Sequence, residues 1–173
     1  MAQRVFIRHA DKGTTTPDDP LLPGQEGKIQ RRSQMLVSKY GSPDIILVSP
    51  FLRTRQTAEL LASGLDNSID IVVEPLLSEY IKHDQGDVQL REDTLMYGPI
   101  VYDTRDSIRN RIREVYNKYC HLESNMWFVC HGIFLHDLLD WLGKTPRRVP
   151  TLAALVISRE QITLQLGNRA IEY

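Results

Sequence analysis

The chain has 173 residues, and its 21 Lys and Arg against 22 Asp and Glu give a formal net charge of −1. A charge this close to zero argues against a general nucleic-acid-binding protein, and the longest apolar run, 152–157, is far too short to span a membrane. With 42% hydrophobic and 25% charged residues, ordinary proportions for a globular protein, we expect one domain over residues 1–173 and neither nucleic acid nor a membrane as partner.

Short apolar runs alternate with helical patterns along the chain, which is typical of α/β architecture. The predicted strands are 5–7, 45–48, 69–73, 126–130, 154–158 and 162–166. Residues 45–48 are apolar at every position, as expected for a strand that helices cover on both faces of a parallel sheet. We predict a three-layer α/β/α sandwich with a mostly parallel central sheet.

Between the predicted strands the apolar period changes to about 3.6 residues, which indicates amphipathic helices. The predicted helices are one from about Glu26 that Gly41 ends, one with an apolar stripe over 58–65, one from near Asp103 to about Tyr119, and one over 135–142 that Gly143 ends. Two alanines narrow the stripe over 58–65, so this helix is expected to pack close to its neighbour. Residues 74–102 show no regular period and are a candidate lid or binding loop.

The N-terminus and the cysteines predict a cytoplasmic protein. Residues 1–9 lack the apolar centre and the small-residue cleavage site of a secretory signal peptide. The two cysteines, Cys120 and Cys130, are too few for a disulfide framework and fit a reducing compartment.

Polar and charged residues follow four of the predicted strands, and ligands bind beyond the carboxyl ends of strands in open α/β sheets. These residues are Arg8 and His9 after the first strand, Arg53 after the second, Glu79 after the third, and His131 with Gly132 after the fourth. We therefore expect two histidines, two arginines and a carboxylate to meet at one edge of the sheet.

This set of residue types suits phosphoryl transfer through a covalent intermediate. A guanidinium offers paired donors that match phosphate oxygens, and a neutral imidazole nitrogen can attack phosphorus. A second imidazole, if cationic, can stabilise charge on the phosphoryl oxygens, while a carboxylic acid protonates the leaving oxygen and later helps to activate water. Backbone N–H groups of the helix after Gly132 could add to the anion site.

Three segments resemble the histidine phosphatase (phosphoglycerate mutase-like) superfamily in order and spacing over essentially the whole chain. They are Arg8-His9, the run SPFLRTRQTA at 49–58 and VCHG at 129–132. The resemblance implies that His9 is the phosphorylated nucleophile and that Arg8, Arg53, His131 and Gly132 bind the phosphate. Residues 77–79 resemble the segment that supplies the family's proton donor, which makes Glu79 the candidate acid, with Asp11, Asp84 and Asp87 as rivals.

The resemblance also implies an activity: hydrolysis of a phosphomonoester, without metal or cofactor, on a phosphorylated small molecule or a phosphoprotein. The tract 11–14 lacks the pattern of mutase-type members and the chain is short, so a phosphatase is favoured over a mutase. Ala10 stands where the family usually has glycine, and an alanine is expected to restrict the backbone if that position needs a positive φ.

Other phosphatase chemistries lack their motifs in this sequence. The chain has no G-x-x-x-x-G-K-[ST] loop, neither cysteine is followed by an arginine six positions on, and Asp103-Thr104-Arg105 breaks the paired-aspartate pattern of aspartyl-phosphate enzymes. The charged segment 105–113 is predicted to be a solvated helix face, and Lys12 and Arg55 are candidates for selecting the substrate.

Three alternative functions stay open at this point. The first is a phosphohistidine or protein phosphatase of the same fold. The second is a metal-dependent hydrolase with His9, His131, His136 and an aspartate as ligands. The third is a module that binds phosphorylated ligands with little or no catalysis.

Overall fold

The computed structural model describes residues 2–15, 18–65, 68–79, 105–145, 148–158 and 161–173. Within these ranges the elements are β1 (Arg4–Arg8), α1 (Glu26–Tyr40), β2 (Ile45–Val48), α2 (Leu52–Ala62), β3 (Asp70–Val73), a 3-10 helix (Pro75–Leu77), α3 (Arg105–Tyr119), β4 (Met126–Cys130), α4 (Gly132–Trp141), β5 (Ala154–Ile157), β6 (Ile162–Leu166) and β7 (Arg169–Glu172). None of the helices in these ranges has the length and apolar character needed to cross a membrane.

The strands form one sheet of seven in the order β3-β2-β4-β1-β5-β6-β7. The pairs β3–β2, β2–β4 and β4–β1 are parallel, whereas β5, β6 and β7 continue the sheet as an antiparallel meander. In the parallel part Arg8 pairs with Cys130, and Val48 pairs with Val129. The chain therefore leaves β1, β2 and β4 at the same edge of the sheet, where the sequence places its candidate site.

Apolar side chains on both faces of the sheet hold helices against it. Val5 and Ile7 of β1 pack in a buried cluster that includes residues of α1 and α2, while Phe6 packs with residues of α3 and α4. This alternation follows from the two-residue period of a strand. The rings of Phe6 and Phe128 stack at 4.3 Å between centroids. The predicted α/β sandwich, with helices on both faces of one central sheet, is confirmed.

Glycines end two helices where the sequence predicts them to end. Gly41 follows α1 with φ 83°, and Gly143 follows α4 with φ 69°, a region that favours glycine. Gly64, beyond α2, has a different role, because a Cβ there would lie 3.3 Å from the Cα of Gln30 in α1. The close packing of these two helices, predicted from the narrow stripe, is present.

Two elements differ from the prediction. Helix α2 begins at Leu52, well before the apolar stripe that starts at Ala58. Its first turns bury polar residues instead of apolar ones, so the apolar pattern does not mark its start. Strand β7 (Arg169–Glu172) was not predicted, since most of its residues are exposed and it lacks apolar alternation. The predicted start of the third helix near Asp103, and the part of the candidate lid beyond Glu79, lie outside the described residues.

Candidate active site

The hydrogen bonding between parallel strands continues for one residue beyond β1 and β2, into the candidate site. The backbone N–H of His9 donates to Cys130 O at 3.0 Å, and the N–H of Ser49 donates to Val129 O at 3.0 Å. These bonds fix the residues that follow β1 and β2 against β4. The structure brings together the six residues predicted for the site: Arg8, His9, Arg53, Glu79, His131 and Gly132.

His9 is a buried imidazole whose two nitrogens have different partners. Its Nδ1 lies 2.6 Å from the carbonyl oxygen of Ala10, which can only accept, so Nδ1 carries the proton. Its Nε2 then keeps a lone pair, which accepts a hydrogen bond from Arg53 Nε at 3.2 Å. Burial, together with His131 and Arg53, lowers the pKa of His9 well below its usual value, so the ring is neutral at pH 7.

Alanine at position 10 fits its site. Among the non-glycine residues that the structure describes, only Leu152 has a positive φ, so the expected restriction at Ala10 is wrong. The Ala10 side chain is buried among apolar residues, and its N–H donates to Thr57 Oγ1 at 3.1 Å. Both backbone polar groups of Ala10 are thus used, one to tie it to α2 and one to orient His9.

Arg53 lies at the centre of the site, and the residue is 1% exposed. Its Nη2 is 3.2 Å from Glu79 Oε2 and 3.2 Å from His131 Nδ1, while its Nε bonds His9. The ring of Phe51 lies under the guanidinium, 4.5 Å from Cζ to the ring centroid. One buried cation therefore contacts both histidines and the candidate acid.

His131 is fully buried and is held from both sides. Its Nε2 lies 2.7 Å from Ser49 Oγ, and its Nδ1 lies 3.2 Å from Glu79 Oε2. Burial lowers the pKa of His131 to about 4, although Glu79 acts in the opposite direction. The ring is consequently neutral at pH 7 in this arrangement, so its contribution to the site is a hydrogen bond and not the charge that a cationic ring would supply.

Among the carboxylates that the structure describes, Glu79 contacts a histidine of the site. Burial opposes ionisation, but the neighbouring His131 and Arg53 outweigh it and hold the pKa of Glu79 well below its usual range. The rival Asp11 is engaged elsewhere, with its carboxylate 2.8 Å from Lys28 Nζ and 2.6 Å from Thr151 Oγ1. The other rivals, Asp84 and Asp87, lie outside the described residues.

Helix α3 fixes the segment that leads to Glu79. The buried carboxylate of Glu74 accepts from Leu76 N at 3.1 Å and Lys118 Nζ at 2.7 Å, and it also bonds the Tyr119 hydroxyl. Arg111 Nη1 donates to Ser78 O at 2.9 Å, one residue before Glu79. The prediction that Arg111 belongs to a solvated helix face is therefore wrong.

Gly132 gives the Arg8 side chain room at the start of α4. A Cβ at position 132 would lie 3.1 Å from Arg8 Nε and 3.2 Å from Arg8 Cζ, tighter than an ordinary contact. Arg8 also donates through Nη1 to the carbonyl of Val149, in the loop before β5. The guanidinium is thereby set beside the N-terminus of a helix, where positive potential adds to its own charge.

Two contributors to this site have no role in the sequence-based prediction. Ser49 orients His131, and its position directly after β2 is a signal that could have identified it. Asp18 is buried, and its Oδ1 lies 3.8 Å from Arg53 Nη1. Nothing in the sequence pattern around Asp18 separates it from an ordinary loop aspartate.

The metal-ligand set expected for a metal-dependent hydrolase is only partly assembled. Ligand atoms of His9, Glu79 and His131 all lie within 4.8 Å of one another. However, Arg53 contacts all three of these side chains, and its charge opposes a cation there. His136 is half-exposed on α4, where its Nδ1 lies 3.0 Å from Asp137 Oδ1, and is not part of this cluster.

The model of the histidine phosphatase superfamily (branch 1) matches residues 12–171. The chain belongs to this superfamily. The match begins after Arg8 and His9, so the roles of those two residues are argued from geometry. No curated protein sequence matches the chain significantly.

Solved structures share the fold of this chain at low sequence identity. The protein histidine phosphatase SixA complexed with tungstate is 18% identical, with TM-score 0.63 over 99% of this chain and 94% of that chain. The ecdysone phosphate phosphatase of Bombix mori with tungstate is 17% identical, with TM-score 0.71 over 95% and 92%. Phosphoserine phosphatase of Entamoeba histolytica with 3-phosphoglyceric acid is 18% identical, with TM-score 0.67 over 96% of each chain.

The contact between Gly132 and Arg8 predicts an effect of Gly132→Ala in this member of the superfamily. The added methyl group pushes the Arg8 guanidinium away from the N-terminus of α4. We expect the affinity for inorganic phosphate, measured by calorimetry, to fall by about tenfold, the equivalent of one weakened charge-assisted hydrogen bond. Gly27→Ala in the first turn of α1 is the matched control, since its Cβ would meet only the Arg31 side chain. Equal phosphate affinity in both variants contradicts the account.

The buried neutral histidines predict that the protein loses stability in mild acid. Because the pKa of His131 falls from 6.5 in the unfolded chain to about 4 when folded, the unfolded state binds more protons between these values. Stability therefore falls as pH drops from about 6.5 towards 4, and His9 acts in the same direction.

Urea unfolding at pH 7 and pH 5 measures this effect. We expect His131 alone to lower the free energy of unfolding by about 2 kcal/mol between the two pH values. The His131→Gln variant should show a correspondingly smaller decrease, whereas a variant of the exposed His121, His121→Gln, should match the parent. A parent protein of equal stability at both pH values rules out buried neutral histidines.

Proposed function

We propose that this chain is a phosphatase domain, over residues 1–173, that hydrolyses phosphomonoesters through a phosphohistidine on His9 without a metal ion. The observation that carries the proposal is the contact of His9 Nδ1 with the carbonyl of Ala10, which sets the tautomer of His9. Its Nδ1 is bound to Ala10 O at 2.6 Å, which leaves the Nε2 lone pair as the nucleophile in a buried site. The cytoplasmic compartment is supported by the two free cysteines.

Phosphate recognition is assigned to Arg8, Arg53, His131 and the N-terminus of α4 at Gly132. Both guanidinium groups are positively charged. Arg53 is buried and Arg8 is partly buried, so an anion meets their N–H donors with little competition from water. Arg53 also joins His9 to this set, because its Nε lies 3.2 Å from His9 Nε2. A phosphoryl group held by Arg53 therefore lies next to the nucleophile.

In the first step His9 Nε2 attacks phosphorus while the bond to the leaving oxygen breaks. Glu79 protonates that oxygen, so it must first gain a proton. The approaching phosphate places negative charge beside Glu79 and competes for the Arg53 donors, and both effects raise the pKa of the carboxyl from its lowered value. The substrate thus helps to protonate its own general acid.

In the second step water attacks the phosphohistidine. The Glu79 carboxylate, left ionised by the first step, accepts a proton from the water as the new P–O bond forms. The P–N bond breaks and returns the lone pair to His9 Nε2, and inorganic phosphate leaves. Arg8 and Arg53 stabilise the charge on the phosphoryl oxygens in both transition states.

The substrate is a phosphorylated small molecule or a phosphoprotein. Lys12 is a candidate for contact with the leaving group, since its pKa is lowered by burial and by the nearby Arg53. A phosphohistidine-bearing protein is the second candidate substrate, supported by the likeness to the protein histidine phosphatase SixA. A module that binds without catalysis loses its main argument, because Ala10 leaves the nucleophile in position.

The first test is the phosphoenzyme itself. His9→Ala removes the attacking nitrogen, so turnover of p-nitrophenyl phosphate should fall by at least about 1,000-fold and acid-labile labelling by a radioactive phosphoester should disappear. His136→Ala is the matched control and should keep both, because His136 is half-exposed and outside the cluster. Turnover that survives in His9→Ala sinks the proposal.

The second test is metal removal. Because Arg53 contacts the side chains that would ligate a cation, dialysis against a chelator should leave kcat/KM within about twofold of its starting value. Addition of Zn²⁺ or Mg²⁺ after dialysis should not raise activity. Activity lost with the chelator and restored by a metal favours the metal-dependent hydrolase instead.

A further inference from the structure

Arg53 carries a full positive charge in a buried position, so what surrounds it decides whether it stays in place. Its partner Glu79 is expected to act as the general acid, and a protonated carboxyl no longer offsets the charge of the guanidinium. A buried cation that loses its counter-charge tends to move or becomes costly to hold. A second carboxylate that takes no part in proton transfer would hold the guanidinium in place whatever the protonation state of Glu79.

Asp18 has the geometry of such a group. Its side chain is 1% exposed, that of Arg53 is 2% exposed, and Asp18 Oδ1 lies 3.8 Å from Arg53 Nη1. Glu79 contacts Nη2 of the same guanidinium, so the two carboxylates take different nitrogens. Asp18 thus remains beside Arg53 when Glu79 turns to the leaving group.

Asp18 is itself held by the backbone of α2. Its Oδ1 accepts from Leu52 N at 2.7 Å, and the N-cap residue of α2, Phe51, makes no side-chain cap hydrogen bond of its own. The loop that carries Asp18 is also tied to α2, since Leu21 N donates to Gln56 Oε1 at 2.9 Å. Asp18 therefore caps α2 from a distant part of the chain, because it accepts the hydrogen bond that a local cap residue would accept. The donor is the backbone N–H of Leu52, the residue directly before Arg53.

We propose that Asp18 is a positioning residue that caps α2 and keeps Arg53 aimed at the phosphoryl group while Glu79 changes its protonation state. This inference rests on the proposed function. It assigns to Asp18 two linked tasks, a cap for the helix that carries Arg53 and a counter-charge for its guanidinium that takes no part in the proton transfer. Asp18 does not touch the reacting atoms.

Vanadate binding to the whole protein tests this role, because it reports anion affinity without turnover. Asp18→Asn keeps an oxygen that can accept from Leu52 N but removes the charge, and Asp18→Ala removes both. We expect about tenfold weaker vanadate binding and about tenfold lower kcat in Asp18→Asn, with a larger loss in Asp18→Ala. The matched control is Asp44→Asn, because the Asp44 carboxylate accepts from Asn125 N at 2.7 Å away from the site and should keep parental affinity.

A double-mutant cycle separates positioning from a general structural effect. In an Arg53→Met background, Asp18→Asn should weaken vanadate binding no further, because the group that it positions is gone. The same loss with and without Arg53, or parental affinity in both Asp18 variants, overturns the inference. Either result leaves the phosphohistidine proposal standing, which instead fails if the parent protein does not bind vanadate or if His9→Ala retains turnover; absent vanadate binding overturns both.

Discussion

The site depends on one constraint, a guanidinium that is buried and still charged. Arg53 is 1% exposed, and its nitrogens lie 3.2 Å from a nitrogen of His9, a nitrogen of His131 and an oxygen of Glu79. Because both histidines beside it are neutral, Arg53 is the positively charged member of these three side chains. The near-zero net charge of the chain gives no sign of this buried cation.

The fold meets that constraint by holding the backbone around the site fixed while a proton moves to and from a side chain. Parallel strands β1, β2 and β4 end together, so the residues after them converge without long loops. Helix α2 then carries Arg53 into the site one residue past its start, and α3 fastens the segment before Glu79 through Glu74 and Arg111. The proposed chemistry needs Glu79 to change its protonation state, whereas the residues around it stay in place.

Short-range sequence patterns predict most of the strands, helices and site residues of this protein. The features that they miss depend on contacts between distant parts of the chain. Apolar runs identify six of the strands because those strands are buried, whereas the exposed edge strand β7 gives no such signal. His9 and His131 were predicted because each directly follows a strand. Asp18 and Arg111 were not, since each acts across 33 or more residues through Leu52 N or Ser78 O, and nothing local marks those partners.

The account is tested most directly by a crystal structure of the protein with vanadate, which mimics the phosphoryl group in the transition state. We predict a bond from vanadium to His9 Nε2, donors from Arg8, Arg53 and His131 on the equatorial oxygens, and Glu79 on the apical oxygen opposite His9. Arg53 should remain against Asp18 in that complex. Vanadium bound through another residue, or another carboxylate on the apical oxygen, would contradict the central claim.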